Sequence, residues 1–183
     1  MGKADRLKMM VEERCKNSHF YPFTVWGHSL DTAEKAKLLA ERVGADPEIC
    51  WLSGLLHDIG AIEQGADNHH KTGADIAGEM LMNLSYPENA IKAVQRCIFA
   101  HRGSQSVERE TIEARVVASA DAMSHFERVS ELIETARGSF GKSPDEAIEW
   151  TRSKLERSWD KLMPEAKDMA QEAHDTALKA LSV

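Results

Sequence analysis

One stretch constrains this chain more than any other: an apolar run, Ile49 through Leu56, that ends in His57-Asp58-Ile59-Gly60. A solvated surface has no need of such an apolar approach to carry an imidazole and a carboxylate side by side. Burying both groups without partners is costly. They must therefore bond each other and their neighbours, or bind a cation whose charge offsets the burial. Further candidate ligands decide between these.

The periodicity around this stretch is helical throughout. Residues 4 to 16 form an opening helix, and Asn17 to Phe23 an aromatic loop. A second helix starts near Thr24, carries His28 and stops at Gly44. Asp46-Pro47 supplies an N-cap and a first-turn proline for the third helix, which ends in His57-Asp58-Ile59-Gly60. Ala61 to Asn68 has no periodicity and reads as a mobile loop, its acids Glu63 and Asp67 solvated. Helix resumes from about Lys71. Ser85-Tyr86-Pro87-Glu88 has capping-box spacing and opens a helix running to His101, and 103–108 is a polar loop.

A helix from Thr111 runs through the small residues around Ala118 to Asp121, then continues or restarts to Gly138. Ser143-Pro144-Asp145-Glu146 is a second capping box, Pro164 breaks the helix that follows, and Glu165 to Leu181 closes the chain. No period-2 run, internal repeat or low-complexity tract competes. The expectation is an all-α helical bundle, with a main domain over 1–138 and the helices of 139–183 as an appendage packed on it.

The 183 residues suit one domain with a substantial core. A net charge of −7 argues against general nucleic-acid binding, which leaves room only for a local basic pocket. Cys15, Cys50 and Cys97 are far apart, which indicates neither a disulfide framework nor a cysteine zinc site and fits a reducing cytoplasm. No signal-peptide core or membrane-spanning run is present, and nothing specifically indicates a homo-oligomer.

The candidate ligands, in order, are His28, His57, Asp58, His69 or His70, His101 and Asp121. Each lies near a helix end or inside an apolar face, and helix ends in a bundle meet in layers. Imidazole with carboxylate suits a divalent ion such as Mn, Fe, Co, Ni, Zn or Mg rather than Ca. His28, His57, Asp58 and Asp121 hold one ion; His69 or His70 with His101 provides for a second, with Asp58 as the natural bridge.

His28, then His57-Asp58, then Asp121 resembles the H…HD…D signature of the HD-domain superfamily of metal-dependent phosphohydrolases, over roughly residues 24 to 126. His69-His70-Lys71-Thr72-Gly73-Ala74 is similar to the family's H-x-x-x-G-A element, which implies His69 as ligand and His70 as its neighbour. Ala61 stands where the HD-GYP branch has Lys, and there is no Gly-Tyr-Pro after His101 and no Glu-Asp pair soon after the HD. The chain looks like a small stand-alone HD protein.

The resemblance implies hydrolysis of a phosphomonoester or phosphodiester, of a nucleotide by preference, with one or two divalent ions. Asp58 would orient or deprotonate water, and Lys71 and Arg102 would bind substrate phosphate, with Lys35 a weaker third. Trp26 is close enough to His28 to flank a base; His125 reads as a core-edge histidine, and His19 and His174 carry no role. Two rival readings share the ligand set: a mixed-valent di-iron oxygenase, and a non-catalytic module that senses a nucleotide.

Overall fold

A computed structural model describes residues 1–22, 24–102 and 108–181, so Phe23 and most of the expected polar loop at 103–108 lie outside the described residues. The described residues form ten α-helices and no strand. They are α1 (Lys3–Lys16), α2 (Val25–Val43), α3 (Pro47–Leu56), α4 (Ile59–Gln64), α5 (His69–Asn83), α6 (Glu88–Ala100), α7 (Ile112–Phe126), α8 (Val129–Gly138), α9 (Pro144–Lys161) and α10 (Pro164–Ala180). None is long and apolar enough to cross a membrane.

Local chemistry explains most boundaries. Asp46 accepts from the amides of Glu48 and Ile49, with Pro47 in the first turn of α3. Gly44 ends α2 in the left-handed conformation (φ 74°). Ser143 and Glu146 close the capping box of α9. The box expected at Ser85 does not form. Ser85 is itself left-handed (φ 57°), and its amide and that of Tyr86 satisfy the Met82 and Leu81 carbonyls at the end of α5, so α6 starts directly behind Pro87.

The mobile loop expected at 61–68 is also corrected. Ile59–Gln64 is helix α4, with Ile59, Gly60, Ala61 and Ile62 buried, and Glu63 pairs with Arg14 of α1. Six residues make fewer than two turns, too short for periodicity to register. The third helix consequently stops at Leu56, and His57-Asp58 sits at the joint between α3 and α4.

The core is one cluster in which α2 packs on α3 and α7, α5 on α4 and α6, and α9 along α7 and α8. Helix α7 lies at its centre, buried over nearly its whole length from Val116 to Phe126. The three cysteines are free and buried, with burial pushing the Cys15 and Cys97 thiols up to about 12. Gly60 lets α4 meet α5, because a Cβ there would collide with the His69 carbonyl and the Gly73 amide.

Gly60→Ala is therefore expected to lose about 1–3 kcal/mol in urea unfolding, as overpacked sites do. Gly138→Ala, where a Cβ meets nothing within 4 Å, is expected to be neutral or stabilising by up to about 1 kcal/mol. Equal losses in the two variants would contradict the close α4–α5 contact.

Candidate metal centre

The joint between α3 and α4 aims Asp58 into a cleft, and four other helices bring imidazoles and a second carboxylate around it. His28 comes from the first turn of α2, His69 from the start of α5, His101 from the end of α6 and Asp121 from the buried stretch of α7. The six residues expected from the sequence as ligands are all brought together. His28 Nε2 lies 3.1 Å from His57 Nε2 and 3.5 Å from Asp121 Oδ1. His57 Nε2 is 3.2 Å from Asp58 Oδ2. The other carboxylate oxygen, Oδ1, is 3.6 Å from both His69 Nε2 and His101 Nε2, which are themselves 3.3 Å apart.

Every ring is held from behind. The Nδ1 of His57 donates to the Gly54 carbonyl (2.8 Å), that of His69 to Ala66 (2.8 Å) and that of His101 to Ile98. The Nδ1 of His28 donates to Ser124 Oγ (2.9 Å), whose own proton goes to the Asp121 carbonyl. This network assigns the tautomers. With each Nδ1 carrying a hydrogen, four Nε2 lone pairs converge on two carboxylates, and such an arrangement needs positive charge between them. Residues of this type, so oriented, fit a divalent metal: His28-His57-Asp58 and Asp58-His69-His101 each form a group that could hold an ion.

The electrostatics of the cluster lead to the same requirement. Burial opposes a charged His57, yet Asp58 and Asp121 outweigh it and hold the ring up to about 9. Burial keeps His101 low despite Asp58. Burial would raise both carboxyls; His57 and His101 hold Asp58, and Lys161 with the nearby histidines holds Asp121, well below the usual carboxylate range.

The cleft around this cluster has a volume of about 680 Å³. Arg102 lines it; Lys71 does not and is exposed on α5, and Lys35 pairs with Glu127 instead. Trp26 packs on the core rather than lining the cleft, and Glu63 and Asp67 lie outside it. His70, expected at the surface or behind His69, is fully buried, with both ring nitrogens unpartnered and its ring 5.3 Å from that of Phe99. His174 stacks on Trp159 at 4.1 Å, and His19 is exposed.

Several cleft residues escaped the sequence reading. His125, read as a core-edge histidine, stacks 5.4 Å from His28, reaches within 3.5 Å of Asp121 Oδ1, and bonds Ser158 of α9. Lys161, the last residue of α9, pairs with Asp121 Oδ2. Arg109, Lys154 and Arg157 also line the cleft. The available signal was a stripe on α9 at helical spacing, Trp150, Lys154, Arg157 and Lys161. Nothing in the sequence showed which helix that stripe faced.

Were two ions to share Asp58, elemental analysis after gel filtration is expected to give two equivalents of Mn²⁺ per chain, falling to one in His69→Ala and to none in Asp58→Ala. Ser124→Ala removes the partner of His28 Nδ1 and is expected to weaken metal binding by about 10–100-fold in chelator competition. Undiminished affinity would mean that Ser124 does not orient the ring.

Comparison with known proteins places this geometry. The model of the HD domain family matches residues 25–174. Curated relatives include Ribonuclease Y of Clostridium novyi, 40% identical over 112 residues, which cover 61% of this chain and 20% of the relative. Ribonuclease Y of Enterococcus faecalis is 34% identical over 122 residues, 66% of this chain and 21% of the relative. The chain thus matches about a fifth of the length of these relatives. Among solved structures, Bacillus subtilis YpgQ in complex with ADP has the same fold, with a TM-score of 0.74, 20% identity, and 98% of this chain and 91% of that one covered. A Bacillus thuringiensis HD-superfamily hydrolase follows at a TM-score of 0.72 and 18% identity, with 97% and 92% covered. On the extent of the family match, which takes in most of the chain from α2 into α10, the protein belongs to the HD domain family.

Proposed function

We propose that the chain is a metal-dependent phosphohydrolase that cleaves a phosphomonoester or phosphodiester, of a nucleotide by preference, with water as the nucleophile. The observation that carries this reading is the division of labour on Asp58: one oxygen faces His28 and His57, the other faces His69 and His101. Divalent ions bound there supply Lewis acidity toward water and the phosphoryl oxygens.

The chain's own residues do the rest. Hydrogen bonds at Nδ1 fix all four imidazoles, so the donor set is organised before substrate arrives. Asp58, ionised across the physiological range, is placed to orient the attacking water or take its proton. Arg102 and Arg109, the latter anchored on the Ala100 carbonyl, and Lys154 and Lys161 of α9 line the cleft and would hold the phosphoryl oxygens. The water oxygen bonds to phosphorus while the ester P–O bond breaks, and its electron pair leaves with the alcohol oxygen, which takes up a proton. The preference for a nucleotide is supported by the ADP bound to the similarly folded YpgQ.

Protein stripped of metal and resupplied with Mn²⁺, Co²⁺ or Ni²⁺ is expected to hydrolyse members of a panel of nucleotides and p-nitrophenyl phosphate esters, and Asp58→Ala to abolish this. A metal-loaded protein that turns over none of them would sink the proposal. The approach of His69 and His101 to Asp58 favours one rival, a di-iron oxygenase. A coloured, iron-loaded protein that consumes O₂ in place of hydrolysing esters would establish it.

A further inference from the structure

Helix α9 lines the cleft with one stripe of chemically graded side chains. Lys161, at its C-terminal end, touches Asp121 of the His/Asp cluster; Arg157 and Lys154 follow toward the N-terminus, and Trp150 lies beyond them. Among the described residues no carboxylate lies within ion-pair distance of Lys154. The Trp150 ring is paired with that of Phe140, at 5.3 Å between centroids and an interplanar angle of 55°, and Phe140 is 49% exposed. Leu132 and Thr135 of α8 line the same end of the cleft. At about 1.5 Å per residue, Trp150 and Lys161 are separated by about 16 Å of helix axis, with Lys154 about 6 Å from the aromatic end.

We infer that α9 acts as a ruler for a nucleoside polyphosphate, with the base on the Trp150–Phe140 platform, the phosphate chain along Lys154 and Arg157, and the distal phosphoryl group at the His/Asp cluster. This rests on the phosphohydrolase reading of that cluster and adds which residues select the substrate. A partly exposed aromatic pair at one end of a cleft and cations leading from it to a cluster whose bound ions would receive phosphoryl oxygens match a ligand that is planar at one end and polyanionic at the other. The spacing adds a length requirement: a nucleoside mono- or diphosphate seated on the platform falls short of Lys161, and a triphosphate spans the gap.

Titration calorimetry of the Mn²⁺-loaded chain with ATP, AMP and inorganic triphosphate tests this. ATP is expected to bind about tenfold or more tighter than either of the others, the scale of one base–aromatic stack. In Trp150→Ala the advantage of ATP over triphosphate disappears, because triphosphate does not reach the platform, and Trp150→Phe restores most of it. Lys154→Met weakens ATP and leaves AMP without its phosphate contact. If Trp150→Ala weakens ATP and triphosphate equally, Trp150 only packs and the inference is overturned. AMP binding as tightly as ATP overturns the length requirement. The expected pattern without turnover of any ester or anhydride leaves the ruler standing and removes the hydrolase; turnover with no Trp150-dependent preference does the reverse.

Discussion

The structure depends on the convergence of four imidazole Nε2 atoms on two ionised carboxylates. Nitrogens 3.1 and 3.3 Å apart cannot face one another as bare lone pairs, and Asp58 and Asp121 cannot remain ionised in a nearly buried place without positive charge. The raised His57 and the ammonium of Lys161 answer part of that demand. A divalent ion meets it better, because it serves several donors at once. The folding of the chain brings residues of α2, α5, α6 and α7 and the α3–α4 joint to this point, so the ligand set is also where these helices meet.

Helix α9 makes the C-terminal part of the chain more than a packing element. It places Lys161 on Asp121 and Ser158 on His125, and the second of these ties the ring beside His28 to the same helix. Arg128, which also lines the cleft, bridges Asp31 of α2 and Glu131 of α8 and so ties the two helices together. The cleft therefore has two kinds of wall. One is laid down by the helices that carry the His/Asp set, and the other by the helices that follow them.

Helix existence was legible wherever a run was long enough to show its period, and boundaries were legible where side-chain chemistry acted locally. Asp46-Pro47 and the Ser143 box succeed for that reason. Ser85 fails because the end of α5 claimed its backbone amide, which no spacing rule for the start of α6 records. Helix α4 fails because six residues are too few to display a stripe, and its burial comes from α5 through Gly60 rather than from its own pattern. Lys71 was chosen for its neighbour in sequence and proves exposed, since adjacent helical residues point about 100° apart.

The sequence alone determined the all-helical class and the identity of the six His and Asp residues, because helical period and donor chemistry are properties of residue type and order. It also determined that these residues, if buried, need partners or a shared cation, since an unpaired imidazole or carboxylate is costly in any fold. Only the tertiary structure decided which Asp58 oxygen faces which histidine pair, that His70 is fully buried, and that α9 lines the cleft. Those outcomes turn on how helices far apart in the chain are rotated and docked, and a rotation of one residue position exchanges a ligand for a buried neighbour.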